Sequence, residues 1–198
     1  MYLAYTGVGS RQTPPEVLGQ MYLCGRALAA AGYTLRSGGA AGADDAFEKG
    51  ARDVPGAKLE ISLPWRGYNE NRSVLYGVEP RAMRIAATLH PAWESVSAAG
   101  RRLHGRNCYQ VLGRNLNWPS DFVACWTPDG FDAVQAPSHR TGGTRTAIAL
   151  AIRHRIPVFN LARPERFAAL GTFLSQRGIP IVTDDATVPR HFLLSANV

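Results

Sequence analysis

The chain has 198 residues, 45% hydrophobic and 19% charged, which excludes a disordered chain and suits a single globular domain with its own core. Its net charge of +7, from 22 Lys and Arg against 15 Asp and Glu, points to an anionic ligand or nucleic acid, beside the plain alternative of solvated surface arginines. No apolar run approaches the ~20 residues of a membrane helix, and Met1–Thr6 lack a charged-then-apolar leader pattern, so neither a membrane partner nor a signal peptide is expected.

Residues 2–6 read as a buried strand ending in the turn Thr6-Gly7-Val8-Gly9-Ser10-Arg11. Thr13-Pro14-Pro15-Glu16 opens a helix, with Thr13 as cap, Pro14 in the first turn and Glu16 closing a capping box. Val17, Met21, Cys24 and Leu28 follow at helical spacing, and Gly32 stops the helix. A second strand at 33–36 runs into Ser37-Gly38-Gly39-Ala40-Ala41-Gly42-Ala43-Asp44-Asp45 and a helix over 43–51. Glycines and alanines between strand and helix leave backbone N–H groups bare, which suits a phosphate.

Leu59–Leu63 alternates as a strand. Residues 65–80, with Trp65, Tyr68 and Tyr76 among arginines and asparagines, read as an ordered insertion loop that offers rings for stacking a base. Helix is expected from about 80 to 113, broken at His90-Pro91. A strand at Phe122–Trp126, a loop over 127–141, a helix at 143–154 and a strand at 156–161 come next. The segment 163–198 reads as a last helix (164–177) and a strand from Ile179 to Val182.

This alternation predicts one Rossmann-like α/β domain over 1–198, with a mostly parallel sheet and helices on both faces. In such sheets ligands sit beyond the C-terminal strand ends, so the three small-residue turns can converge there. The first turn lacks the third glycine of a dinucleotide motif, and strand two carries Arg36 where an NAD fold needs an acid. No GxxxxGK[ST] is present either. No cofactor is therefore expected. Cys24, Cys108 and Cys125 are odd in number and lack CxxC spacing, which argues against disulfides and zinc and for a reducing cytoplasm. His90, His104 and His139 are scattered, so no metal site is expected.

Four segments in order carry a resemblance. They are Gly9-Ser10-Arg11, Ser37 to Asp44, Arg114-Asn115 ahead of the Asp121–Ala124 strand, and Gly142-Gly143-Thr144 before Ile156-Pro157-Val158-Phe159. Over about residues 3–162 the chain resembles the superfamily of the DNA-processing protein DprA, the LOG phosphoribohydrolases and the YpsA-like proteins. That superfamily includes phage- and defence-associated members. The resemblance implies a Rossmann-like nucleotide-binding fold and a homo-oligomer. LOG enzymes carry an acid after the PGGxGT turn, and none stands in Thr144-Arg145-Thr146-Ala147-Ile148-Ala149.

The reading assigns Gly7, Gly9, Ser10 and Arg11 to the first ligand-binding turn and Ser37, Gly38, Gly39, Ala40, Gly42 and Asp44 to the second. Gly142, Gly143, Thr144 and Arg145 form the third, with Arg106 and Arg114 as further phosphate partners and His104 beside Arg106. Asp44, or Glu48 at i+4 on the same helix face, is the candidate acid/base for cleaving an N-glycosidic bond. The function expected is binding of a nucleotide or nucleotide-derived small molecule. The alternatives are a single-stranded nucleic-acid-binding module and a non-catalytic sensor or scavenger of a nucleotide signal.

Overall fold

In the computed structural model, which describes residues 2–180, five strands form one sheet in the order β3-β2-β1-β4-β5, all parallel. The strands are β1 (Ala4–Gly9), β2 (Thr34–Ser37), β3 (Lys58–Ile61), β4 (Phe122–Trp126) and β5 (Val158–Asn160). The helices are α1 (Pro15–Ala30), α2 (Ala43–Arg52), α3 (Pro80–Ala87), α4 (Ala98–Leu112), α5 (Arg145–Arg153) and α6 (Pro164–Ser175). A parallel sheet needs both faces covered because its strands are apolar on both sides. Tyr5, Leu35 and Phe122 pack with α1, α2 and α6 on one face. Val8, Val123 and Cys125 pack with α3, α4 and α5 on the other.

The chain adds β2 and β3 on one side of β1, then returns to place β4 on the other. The strand order therefore reverses between β1 and β4, and a crevice opens at their C-terminal ends. Gly9 pairs with Trp126 there, and the Ser10 N–H donates to the Trp126 carbonyl at 3.1 Å.

Several expected elements shift. The capping box before α1 does not form. The Thr13 hydroxyl donates to the Ser10 carbonyl at 2.8 Å, and α1 starts at Pro15 without a side-chain cap. The hydroxyl serves the first turn rather than the helix end. β1 extends to Gly9, so Gly7 lies inside the strand. The 80–113 region is two helices with a 3-10 turn, Trp93–Ser95, between them. The insertion loop is ordered by a 3-10 turn at Tyr68–Glu70 and a bridge from Leu63 to Tyr76. Ile179 and Pro180 are outside any strand, and the rest of the last expected strand lies outside the described residues. Among the described residues no helix is long and apolar enough to cross a membrane, and no group of three His, Cys, Asp or Glu is placed to hold a metal.

Candidate functional site

A cavity of about 410 Å³ opens at the crevice between β1 and β4. That size is within the roughly 300–1,000 Å³ of small-molecule sites. All three turns reach it: Gly9, Ser10 and Arg11 from the first, Ala40 and Asp44 from the second, and Thr141 to Thr144 from the third. One side of α4 forms a fourth wall with Leu103, His104, Arg106, Asn107 and Gln110. Tyr68 reaches in from the insertion loop and Arg140 from the loop after β4.

Asp44 organises the first two turns. It is in the first turn of α2 and almost fully buried. Its Oδ1 accepts from the Gly9 N–H and its Oδ2 from the Gly38 N–H, both at 3.1 Å. Arg106 Nη1 approaches Oδ2 at 3.5 Å. Burial pushes the Asp44 carboxyl above its ordinary value, against the opposing pull of Arg106 and the turn N–H groups. The glycine cradle thus holds an anion that belongs to the chain.

Close approach explains the glycines here. A Cβ at Gly38 would stand 1.3 Å from Arg106 Nη1. At Gly42, φ is +83°, and a Cβ would come within 2.7 Å of the Ser10 carbonyl. Ser37 ties the strands together by donating its hydroxyl to the Gly7 carbonyl at 2.7 Å. Ser37, Gly38, Gly39 and Gly42 therefore build the turn from behind, with Gly7 supporting it from inside β1, while Ala40 lines the cavity.

Arg106 is the central cation. Its guanidinium faces Asp44 and stands 5.9 Å from the Tyr68 ring. With the Gln110 amide oxygen turned toward it, Arg106 Nη1 donates to Gln110 at 3.1 Å, as does the Gly38 N–H at 2.9 Å. Arg106 Nε is buried without a protein partner. A buried donor left unpaired is costly, so this nitrogen marks where an acceptor belongs. Arg11 is exposed and bonds weakly to the Tyr68 hydroxyl, at 3.4 Å. The Ser10 hydroxyl accepts from the Gln12 N–H at 3.0 Å and keeps its own proton to donate. Arg11, Arg106 and Arg140 set three guanidiniums against the single carboxylate of Asp44.

Burial lowers the His104 imidazole to about 4, helped by His90 and Arg106, so His104 is neutral near pH 7. Its Nδ1 pairs with the Thr146 hydroxyl at 2.7 Å and fastens α4 to α5. Asn107 Nδ2 donates to the Gly143 carbonyl at 2.8 Å and holds the third turn. That turn is also braced by Asp129, which accepts from the hydroxyls of Ser138 and Thr141 and from the Ser138 N–H.

Three candidates lie apart from this cavity. Glu48 accepts from Arg52 at 2.7 Å and from Asn71 at 3.1 Å, and it lines a neighbouring cavity behind the 39–41 turn. Arg114 follows the C-terminal end of α4, donates to the carbonyls of Tyr76 and Gly77, and stacks 4.5 Å from the Tyr109 ring centre. Arg145 opens α5 and is not among the lining residues. Asn107, Gln110, Gln12 and Arg140 line the cavity without having been singled out from the sequence. The first two follow Arg106 at one and four positions, a polar stripe on a buried helix that periodicity makes visible.

No protein-family profile and no curated protein matches the chain. Among solved structures it is similar to the Moco carrier protein of Chlamydomonas rheinhardtii, at 18% identity over 95% of this chain and 92% of that one, with a TM-score of 0.43. It is also similar to DNA processing protein A from Helicobacter pylori, whose structure concerns single-stranded DNA binding. That identity is 16%, over 88% of this chain and 81% of the other, with a TM-score of 0.38. The chain itself has a single Rossmann-like α/β fold with its cavity at the reversal of strand order.

Proposed function

We propose that the chain binds a nucleotide or nucleotide-derived small molecule in this cavity, its phosphate against Arg11, Arg106 and Arg140. The observation that carries the reading is the convergence of three turns and α4 on one 410 Å³ cavity with three guanidiniums against one carboxylate. Arginine forks match phosphate oxygens in pairs. Ser10, Gly143 and Thr144 add polar atoms at the rim, and Val8, Leu103, Ala147 and Tyr68 offer an apolar flank for a base.

Mass spectrometry of small molecules released from the purified protein, followed by calorimetry with a nucleotide panel, tests the proposal. A released nucleotide or saturable binding supports it. An empty protein that binds no nucleotide rejects it. Binding of single-stranded DNA that collapses with salt, as several released counterions require, would favour the nucleic-acid reading that the +7 charge supports.

Bond cleavage is a separate question. Asp44 is engaged by two N–H groups and Arg106, and Glu48 by Arg52 and Asn71 outside the cavity. The reading therefore rests on binding. Release of free base from a bound nucleotide would add hydrolysis at the anomeric carbon. Loss of that release in Asp44→Asn, or in Glu48→Gln, would assign the acid/base role.

A further inference from the structure

Toward the other end of the sheet lies a second concavity of about 400 Å³. Tyr2, just ahead of β1, and Trp118, ahead of β4, wall it, while Arg36 of β2 and Glu60 of β3 form its floor. Asn117 and Arg114 complete the rim. None of these side chains lines the arginine cavity.

Both rings are open to solvent, Tyr2 at 41% and Trp118 at 57%. They meet edge to face, with centroids 6.0 Å apart and planes at 89°. Exposed aromatic surface next to a concavity marks a binding site more often than an exposed ring by itself. Neither residue is loosely held. The Trp118 backbone N–H donates to the Leu112 carbonyl at 3.0 Å, and its backbone carbonyl accepts from Arg36 Nη1 at 2.6 Å. Leu116, two residues earlier, holds φ at +56°, a conformation leucine rarely adopts, within the bend that presents the tryptophan. The Tyr2 hydroxyl is bonded to Glu60.

The floor carries an open donor. The Arg36 side chain is 3% exposed. Its Nε donates to Glu60 at 2.8 Å, and its Nη1 to the Trp118 carbonyl and, at 3.5 Å, to Ser120. Its Nη2 makes none of these bonds. Nη2 faces Gly113, where a Cβ would come within 2.8 Å of it. A guanidinium nitrogen that makes none of the protein's bonds is free to donate to a ligand. The Glu60 carboxylate beside it is an acceptor at the surface of the same concavity.

An exposed indole beside an adjacent donor and acceptor fits a flat ring whose edge also carries both, with the Tyr2 ring, 5.5 Å from the Arg36 guanidinium carbon, as a side wall. We infer that this concavity binds a nucleobase-type heteroaromatic ring, stacked on Trp118, flanked by Tyr2, and hydrogen-bonded along its edge to Arg36 Nη2 and Glu60. The ring is that of a free nucleoside or nucleotide, or of a base in a single strand. The inference does not depend on what fills the arginine cavity.

The test follows the indole N–H signals of 15N-labelled protein, which has four tryptophans. Trp118→Ala removes one signal and so assigns it. The remaining spectrum checks that the fold is kept. Nucleosides are used first, because they lack the phosphate proposed for the arginine cavity, and the Trp118 signal reports on this concavity rather than that one; a short single-stranded oligonucleotide follows. A saturable shift of the Trp118 indole signal by at least one nucleoside is expected, with binding weakened about tenfold or more in Trp118→Ala. Trp118→Phe, which keeps a ring, should retain most of the affinity. Clearly tighter binding of the oligonucleotide identifies a strand as the source, and equal affinity identifies the free ligand. The inference is overturned if neither probe moves the Trp118 signal, or if Trp118→Ala binds as tightly as the wild type. It is also overturned if that signal moves with protein concentration alone, which would mean that a second copy covers the rings.

Discussion

The Asp44 carboxylate accepts from the N–H groups of Gly9 and Gly38 and faces Arg106, so the chain closes its first two turns with its own anion. Removing one member of a buried charged pair strands the other. Asp44→Ala should therefore destabilise the fold by about 3–5 kcal/mol, seen as a lower urea midpoint with an unchanged slope. Arg11 gives the contrasting case. It is exposed, with one weak bond to Tyr68, so Arg11→Ala should shift stability by only about 0.5 kcal/mol. If a phosphate rests against it, nucleotide affinity should fall about tenfold by calorimetry, the loss of one charge-assisted bond. Unchanged affinity would remove Arg11 from the site.

α4 carries one candidate cation, Arg106, and separates it from the other, Arg114, which follows its C-terminal end. Arg106 and Arg114 are both followed by asparagine and look alike in sequence. From Arg106 to the last helical residue, Leu112, the helix rises about 9 Å, and Arg114 lies beyond the Gly113 cap. α4 returns antiparallel to the strands, so Arg106 stands at the crevice while Arg114 emerges near the opposite end of the sheet. A shorter separation, one helical turn, divides Asp44 from Glu48 on α2. One helical turn places Glu48 behind the 39–41 backbone, with Asn71 and Arg52.

The loop between β4 and α5 depends on Asp129. Burial raises this carboxyl, but hydrogen bonds from Thr141 and Ser138 outweigh it and hold it well below the ordinary aspartate value. A depressed folded-state value stabilises the loop at pH above the unfolded value of about 4. That support is lost as pH falls below it toward the folded-state value. Protection of the amides of residues 130–143, measured relative to their intrinsic exchange rates at each pH, should stay high from pH 7 to near 5 and fall under stronger acid. Asp129→Ala should show the fast exchange already at pH 7 and bind nucleotide more weakly through the displaced Arg140 and Gly143. Slow exchange in that variant would reject the bracing role.

Across the whole molecule, the three cysteines report on closure of both helical layers. Cys24 is in α1, Cys108 in α4 and Cys125 in β4, all buried. Burial pushes the Cys24 and Cys108 thiols up to about 12, and Cys125 is raised as well. A thiol-specific reagent at pH 8 should therefore find almost no reactive cysteine in the native protein and all three once it is unfolded in guanidinium. Rapid labelling of the native protein would show that a layer opens.

The alternating pattern was legible because each element is local. Val17, Met21, Cys24 and Leu28 mark the buried side of α1 from their spacing, and Gly32 ends it with φ +83°. The Gly-rich turns were legible for the same reason, since glycine adopts positive φ without steric cost and leaves room for the close approach seen at Gly38 and Gly42. The sequence by itself thus determined an α/β chain with three bare turns after strands. Only the tertiary structure decided which residues meet there. Tyr68, Arg106 and Arg140 come from three different segments and converge because strand order reverses between β1 and β4. That reversal is settled by pairing between distant strands, as Tyr5 with Phe122, and no local pattern of residues encodes it.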